Sequence, residues 1–260
     1  MAAIITTYAG YVFISFIPPL LWLLFYLRED RKHPEPKHLL IAVFFGGIGA
    51  ALLSIVVEFL LLGDLRQAKG GVLTDLFPGV FGSVIAIFLV VAVVEEYLKY
   101  LSVKALVVGR PEFDEPVDAM IYMMTAALGF AAIENVLFAL PVFGIDITNG
   151  IFLPFSAERL FNGVALNANR FIGANLLHAL SSGIVGYFLA HSYFLPHRRH
   201  FIFMGVILAS VLHTFFNYFI IIREATPQAV NLLIFLLFMM AFAVFVEFER
   251  LKRDNPADRE

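Results

Sequence analysis

The chain contains a series of apolar stretches that are each long enough to cross a lipid bilayer. A helix needs about 20 predominantly apolar residues to span the hydrocarbon core. Hydropathy predicts about seven such spans, at residues 4–27, 39–62, 80–104, 117–140, 171–192, 201–222 and 229–249. Because strict two-residue alternation is missing, we expect helices rather than a barrel to satisfy the backbone in lipid. The sequence therefore predicts an all-α polytopic membrane protein.

Composition and charge agree with that class. The chain is 60% hydrophobic and 15% charged, and it has no cysteine, which excludes disulfides and thiolate metal sites. The net charge of -3 gives no indication of a nucleic-acid partner. The partner that the composition does imply is the lipid bilayer. Residues 1–260 are expected to form one transmembrane domain.

The distribution of Lys and Arg predicts the orientation, because cytoplasmic loops are enriched in both. Alternate loops and the C-terminal tail carry most of them, at Arg28, Arg31, Lys32, Lys37, Lys104, Arg110, Arg198, Arg199, Arg250, Lys252, Arg253 and Arg259. We therefore expect the N-terminus outside and the C-terminus in the cytoplasm.

The third span carries three charged side chains near its middle, Glu95, Glu96 and Lys99. Each costs roughly 2.5–3.5 kcal/mol inside a bilayer, so a retained cluster indicates a use. On a helix Lys99 lies within reach of both glutamates. Two adjacent carboxylates in a low dielectric do not readily both ionise, and one ionised group beside one protonated group suits general-base chemistry. A neutralised cluster that only holds helices together is the alternative.

Three further spans carry polar residues at depths that overlap that of the acid pair, counting about 1.5 Å per residue. Span four contains Glu134 with Asn135 beside it. Spacings of three and then four residues place polar side chains on one face of each of the next two helices. These are Asn175, His178 and Ser182 on span five, and Ser210, His213 and Asn217 on span six. We therefore predict one polar site built by four helices.

The order and spacing of these motifs, over about residues 80–222, resemble those of the PrsW family of intramembrane proteases. The matching residues are Glu95, Glu96 and Lys99, then Phe130, Glu134 and Asn135, then His178, and finally His213 and Asn217. The acidic segment 113–122, which contains Glu115 and Asp118, resembles the start of the next span in that family.

The resemblance implies a multi-pass protease of the bacterial cell membrane that makes the first cut in a membrane-anchored anti-sigma factor. It also implies a distant relation to the type II CAAX prenyl endopeptidases and the abortive-infection-like proteases. There the first glutamate of the pair activates water and the last motif forms an oxyanion hole, roles that transfer to Glu95 and to His213 with Asn217. Because Glu134 stands where that wider group has histidine, either Glu134 or His178 is expected to be the second partner of the water.

We therefore expect a glutamic intramembrane endopeptidase that needs no metal cofactor. Its predicted catalytic residues are Glu95, Glu96, Glu134, His178, His213 and Asn217. Supporting roles are predicted for Lys99, Glu115, Asp118, Phe130, Asn135, Asn175 and Ser182, with Glu115 and Asp118 at the start of span four.

Two alternatives remain open at this point. One is a zinc-dependent protease that uses Glu95, Glu134, His178 and His213 as ligands. The other is a proton-coupled transporter, because intramembrane Glu and His chains also serve as proton relays. A transporter would be expected to show inverted repeats or paired broken helices, which the sequence does not indicate.

Three smaller features complete the predictions. Gly46, Gly47 and Gly49 give span two a small-residue face for close helix packing. Glu58, near a span end, is expected to reach the interface or solvent. Residues 141–170 form the longest external connection, and within it residues 152–170 are either a short interfacial helix, a re-entrant piece near the site, or a plain surface loop.

Overall fold

A computed structural model describes residues 2–28, 34–64, 69–80, 83–146, 149–194 and 201–253. The helices are α1 (Ala2–Tyr26), α2 (Lys37–Leu62), α3 (Val72–Leu76), α4 (Val84–Leu106), α5 (Pro116–Val142), α6 (Ala157–Ile172), α7 (Ala174–Phe194), α8 (Phe201–Ile222) and α9 (Gln228–Arg253). Two small antiparallel hairpins pair β1 (Gly63–Asp64) with β2 (Lys69–Gly70), and β3 (Ile145–Asp146) with β4 (Ile151–Phe152). The prediction of an all-α fold is confirmed.

Each predicted span coincides with one long helix. Six helical segments in the described ranges are long and apolar enough to cross a membrane, and α6 with α7 forms one of them, Ala157–Phe194. Helix α4 has the length of a span, 23 residues or about 35 Å, but charged side chains interrupt its apolar sequence. The orientation stays a prediction, and several residues behind it lie outside the described ranges: Arg31, Lys32, Arg198, Arg199 and Arg259.

Helix α5 is the centre of the bundle. Every side chain from Val117 to Ala132 is buried, and α1, α2 and α7 pack around it. A helix enclosed on all sides needs no polar face, which is why this segment is apolar all round. Glu134 and Asn135 follow directly on this enclosed stretch, so their polar groups point into the interior of the protein.

The crossing of α2 and α5 brings the two backbones into contact. A Cβ atom on Gly47 would lie 1.9 Å from the carbonyl oxygen of Ala126, and one on Gly129 would lie 2.0 Å from that of Phe44. Only glycine leaves room for these approaches, as expected of small-residue helix contacts in membranes.

This crossing allows a prediction about stability. Gly47→Ala and Gly129→Ala should each lower the free energy of unfolding by at least about 1–3 kcal/mol, because the added methyl group forces two backbones apart. Gly49→Ala is the matched control, since nothing lies within 4 Å of a Cβ at that position. Thermal unfolding in detergent measures the difference, and equal stability of all variants would contradict the crossing.

The segment between α5 and α7 contains the second hairpin and α6. Helix α6 begins after Ser156, whose side-chain oxygen accepts a hydrogen bond from the Arg159 amide. It buries Gly163 and Asn167 and exposes Phe161 and Val164. Apolar side chains exposed beside polar ones are typical of a helix at a membrane surface. For residues 152–170 the structure shows a helix rather than a plain loop over most of the segment, Ala157–Ile172.

Candidate active site

Glu95, Glu96 and Lys99 are buried in the middle of α4, which packs there against α7 and α8. The Lys99 ammonium lies 3.0 Å from Glu96 Oε1 and 3.7 Å from Glu95 Oε2. It therefore contacts both glutamates, as their helical spacing predicts. The ammonium also lies 4.3 Å from the ring centroid of Phe130, a cation–π contact with α5.

The two glutamates differ in how their oxygens are bonded. Glu96 is fully buried and accepts hydrogen bonds from Lys99 at 3.0 Å, Ser181 at 2.9 Å, Ser182 at 3.1 Å and His213 Nδ1 at 3.1 Å. Lys99, Ser181 and His213 donate to Oε1, and Ser182 donates to Oε2. Glu96 therefore ties α4 to α7 and α8 and orients its neighbours.

Glu95 and His213 present two unused acceptor atoms to each other. Glu96 can only accept, so the proton of a neutral His213 is on Nδ1 and its Nε2 has a lone pair. That Nε2 lies 3.9 Å from Glu95 Oε2, a buried oxygen with no hydrogen-bond partner in the described ranges. Buried polar atoms are normally paired, so when Glu95 is ionised and His213 is neutral these two acceptors can share a donor or a cation between them.

His178 connects the acid pair to Glu134. Lys99 donates a hydrogen bond to His178 Nδ1 at 2.8 Å, and His178 Nε2 donates to Glu134 Oε2 at 2.7 Å. The same Glu134 oxygen accepts a hydrogen bond from Arg170 Nη2 at 2.9 Å. The His178 and His213 rings pack edge to face, with centroids 5.1 Å apart. The predicted convergence of four helices at one site is therefore observed, and Arg170 is an additional member.

The polar side chains next to the cluster have two kinds of surroundings: some link helices, and one lines the cavity. The Asn135 amide donates to Asn175 Oδ1 and to the carbonyl oxygen of Ser15, each at 3.1 Å, and so links α5 to α7 and α1. Asn217, one turn after His213 on α8, is partly exposed and lines the cavity described next. The hydroxyl of Ser210, on the same helix, donates to the carbonyl oxygen of Ala92 at 3.3 Å.

A cavity of about 1160 Å³ leads to these side chains and is lined by residues of α2, α4, α5, α6, α7, α8 and α9. Its polar lining comprises Ser54, Glu58, Glu95, Glu134, Asn169, Arg170, His178, His213, Asn217 and Arg223. The expectation that Glu58 reaches solvent at a span end is wrong. The α2 helix turns this side chain into the cavity, and its Oε1 atom is buried without a partner in the described ranges.

Glu115 and Asp118 lie at the start of α5 and are not among the described residues that line the cavity. Asp118 Oδ2 accepts hydrogen bonds from the amides of Glu115 at 2.8 Å and Asp114 at 3.1 Å, so this carboxyl group caps the helix. Tyr122 donates a hydrogen bond to nearby Glu35, and burial raises the pKa of Glu35.

Glu95, His178 and His213 are the described residues that could hold a metal ion together. One ligand atom from each lies within 4.8 Å of the others. Two imidazoles and a carboxylate suit zinc, and a carboxylate such as Glu96 on the other ring nitrogen is the usual partner of a zinc-binding histidine. The residues therefore fit the ion in type and proximity. Glu134, the fourth predicted ligand, is outside this group and accepts a hydrogen bond from His178.

Comparisons with known proteins extend the resemblance to most of the chain. The family model described as "PrsW family intramembrane metalloprotease" matches residues 35–246, which include every described residue that lines the cavity. "Protease PrsW" of Geobacillus kaustophilus is 25% identical over 202 residues, 77% of this chain and 74% of the relative. The protein of that name in Clostridioides difficile is 27% identical over 216 residues, 82% and 80% of the two chains.

"Protease PrsW" of Bacillus subtilis is 24% identical over 222 residues, 85% of each chain. No solved structure matches this chain. The family match and the membrane-spanning helices together indicate a multi-pass protein of the bacterial membrane. The chain belongs to the PrsW family of intramembrane proteases.

Proposed function

We propose that the protein hydrolyses a peptide bond of a membrane-anchored protein, with Glu95 as the general base. The observation that carries this proposal is the pair of acceptor atoms, Glu95 Oε2 and His213 Nε2, that face each other 3.9 Å apart beside a cavity of about 1160 Å³. A water molecule with two protons to donate satisfies both. The volume exceeds the roughly 300–1,000 Å³ of small-molecule pockets and suits a polypeptide segment.

The chemistry follows from the proton positions. The water donates hydrogen bonds to Glu95 and His213, and ionised Glu95 takes its proton as the water oxygen attacks the carbonyl carbon. The carbon–nitrogen bond then breaks, and the proton on Glu95 passes to the leaving amine. The Lys99 ammonium, 3.7 Å from Glu95 Oε2, favours the ionised base.

The negative oxygen that forms during attack needs a donor, and we assign that role to the Asn217 amide. His213 was expected to share this role. Because Glu96 holds its one proton on Nδ1, a neutral His213 has no donor to offer at Nε2. His213 therefore serves the water, and it donates to the oxyanion only if it gains a second proton.

We further propose that the substrate is a single-span protein, and that a membrane-anchored anti-sigma factor that receives its first cut here is one such protein. The cavity lies among the membrane-spanning helices, and its lining combines the polar cluster with apolar residues of α8 and α9. Reconstituted protein incubated with single-span peptides should release two fragments from each cleaved peptide. Failure of the wild-type protein to cut any peptide of the set would contradict this function.

Zinc-dependent hydrolysis is the second candidate, and the proximity of Glu95, His178 and His213 favours it, as does the description of the family. A zinc ion held by these three residues would supply a more acidic water and polarise the carbonyl group. For His178 to bind zinc, it would have to break its hydrogen bond with either Lys99 or Glu134, because each of its ring nitrogens makes one of these bonds. The ammonium within the cluster also opposes a second cation, so we favour the metal-free mechanism.

Elemental analysis separates the two candidates. We expect purified protein to contain no stoichiometric zinc, and we expect its activity to survive prolonged treatment with a strong chelator. One zinc ion per chain that is lost on His178→Ala, together with chelator-sensitive activity restored by zinc, would establish the metal mechanism.

A further inference from the structure

Arg170 approaches the catalytic cluster from outside the four helices that supply it. It lies in the last turn of α6, and its side chain is 12% exposed. Its Nη2 atom donates to Glu134 Oε2 at 2.9 Å, and its Nε atom donates to Asn135 Oδ1. The guanidinium carbon also lies 4.5 Å from the ring centroid of Phe138. One arginine thus contacts three residues of α5.

These contacts fix Glu134 rather than merely neutralise it. Asn135 is itself held by Asn175 and Ser15, so it is a rigid reference for the guanidinium. A guanidinium presents its donors in a fixed planar fork, which a lysine cannot reproduce. With Nε on Asn135, the position of Nη2 is set, and so is the oxygen of Glu134 that it binds.

The orientation of Glu134 also determines that of His178. The oxygen of Glu134 that Arg170 binds is the one that accepts the His178 Nε2 proton at 2.7 Å. His178 in turn accepts the Lys99 hydrogen bond on Nδ1, and Lys99 lies 3.7 Å from Glu95 Oε2. Arg170 therefore stands at the outer end of a continuous series of contacts that ends at the proposed base.

Helix α6 is docked on α1 independently of Arg170. The indole nitrogen of Trp22 donates to the carbonyl oxygen of Phe171 at 2.7 Å, and the two rings stack with centroids 5.1 Å apart. Trp22 is the single tryptophan of the chain. Its fluorescence therefore reports whether this end of α6 remains docked.

We propose that Arg170 is a positioning residue for peptide hydrolysis, which holds Glu134 and, through it, the His178 imidazole in the catalytic orientation. This inference rests on the proposed function. It assigns to α6, a helix at the edge of the bundle, the task of supporting a site whose proposed reacting groups lie on α4 and α8, and to which His178 of α7 connects through Lys99.

Kinetics in reconstituted vesicles test the assignment. Arg170→Gln should lower kcat about ten- to a hundredfold, by analogy with the loss of residues that orient metal ligands. KM should change by less than about threefold, because the effect of Arg170 passes through His178 and Lys99 to the base and not to the bound substrate. Arg170→Lys keeps the charge and should recover part of kcat. Arg110→Gln removes an exposed cation that is not among the described residues lining the cavity, and it should keep normal kcat.

A spectroscopic measurement judges the inference separately from activity. In protein with ¹⁵N-labelled histidine, the His178 Nε2–H resonance, assigned with His178→Gln, should shift in Arg170→Gln and stay in place in Arg110→Gln. Unchanged Trp22 emission in each variant establishes that α6 remains docked.

An unmoved His178 resonance would overturn the positioning role, as would a raised KM at normal kcat, which indicates substrate binding by Arg170. An equal loss of kcat in Arg110→Gln would also overturn it. If the wild-type protein cuts no peptide, the proposed function fails, whereas the resonance still decides whether Arg170 orients His178.

Discussion

Glu95→Gln should reduce peptide hydrolysis by roughly 10²–10⁴-fold, the contribution of a positioned general base, while the protein remains folded. Glutamine has the shape of glutamate but cannot take a proton from water. The fold should survive because Glu95 Oε2 has no hydrogen-bond partner in the described ranges and Lys99 keeps its 3.0 Å contact with Glu96. Initial rates of fragment release, measured by mass spectrometry at saturating substrate, give the effect on kcat.

Glu58→Gln is the matched control for this experiment. Glu58 is another carboxylate in the same cavity, and its Oε1 atom is buried without a hydrogen-bond partner in the described ranges. It lies on α2, and none of the contacts described above joins it to His178 or His213. We expect it to retain activity within a few-fold. Wild-type turnover by folded Glu95→Gln protein would remove Glu95 as the base.

Asn217→Leu should lower kcat by about 10²–10³-fold, the loss observed when one oxyanion donor is removed. Leucine has a similar volume but no hydrogen-bond donor. Substrate binding should change little, because the interaction is made mainly in the transition state. Steady-state kinetics should therefore show a lower kcat at nearly constant KM. Thr214→Val is a suitable control, since the Thr214 hydroxyl donates to the carbonyl oxygen of Ser210 within α8.

Asn217→Asp provides a second, more specific comparison. A protonated carboxylic acid can still donate to the oxyanion, whereas a carboxylate repels it. We therefore expect partial activity that declines as pH rises. If Asn217→Leu keeps near-normal turnover, Asn217 is only part of the cavity wall, and another group donates to the oxyanion.

The fold and much of the site could be predicted from helical periodicity and the cost of polar groups in lipid. Glu95, Glu134, His178 and His213 lie at similar depths on separate helices, and the structure brings them together as expected. The same reasoning identified Lys99 as the partner of the acid pair, because spacings of three and four residues suffice to predict contacts within one helix.

The division of labour within the cluster could not be predicted in this way. Only the rotation of α4 relative to α7 decides that Ser181 and Ser182 donate to Glu96, whereas Glu95 Oε2 has no hydrogen-bond partner in the described ranges. The spacing of residues along one helix does not predict contacts across the bundle either. Arg170 and Glu58 lie near segment ends, where charged residues are usually solvated, and the packing of α6 and α2 turns both toward the cavity.

Hydrolysis in H₂¹⁸O tests the central claim most directly. Purified protein would be reconstituted in vesicles with a library of synthetic single-span peptides whose sequences differ near the ends of the membrane-spanning segment. The products would be analysed by mass spectrometry. We predict two fragments from each cleaved peptide, with one ¹⁸O atom in the new terminal carboxyl group. With Glu95→Gln we predict almost no fragments. Intact peptides throughout the library, accompanied by proton flux across the vesicle membrane that Glu95→Gln abolishes, would contradict the account and indicate a transporter.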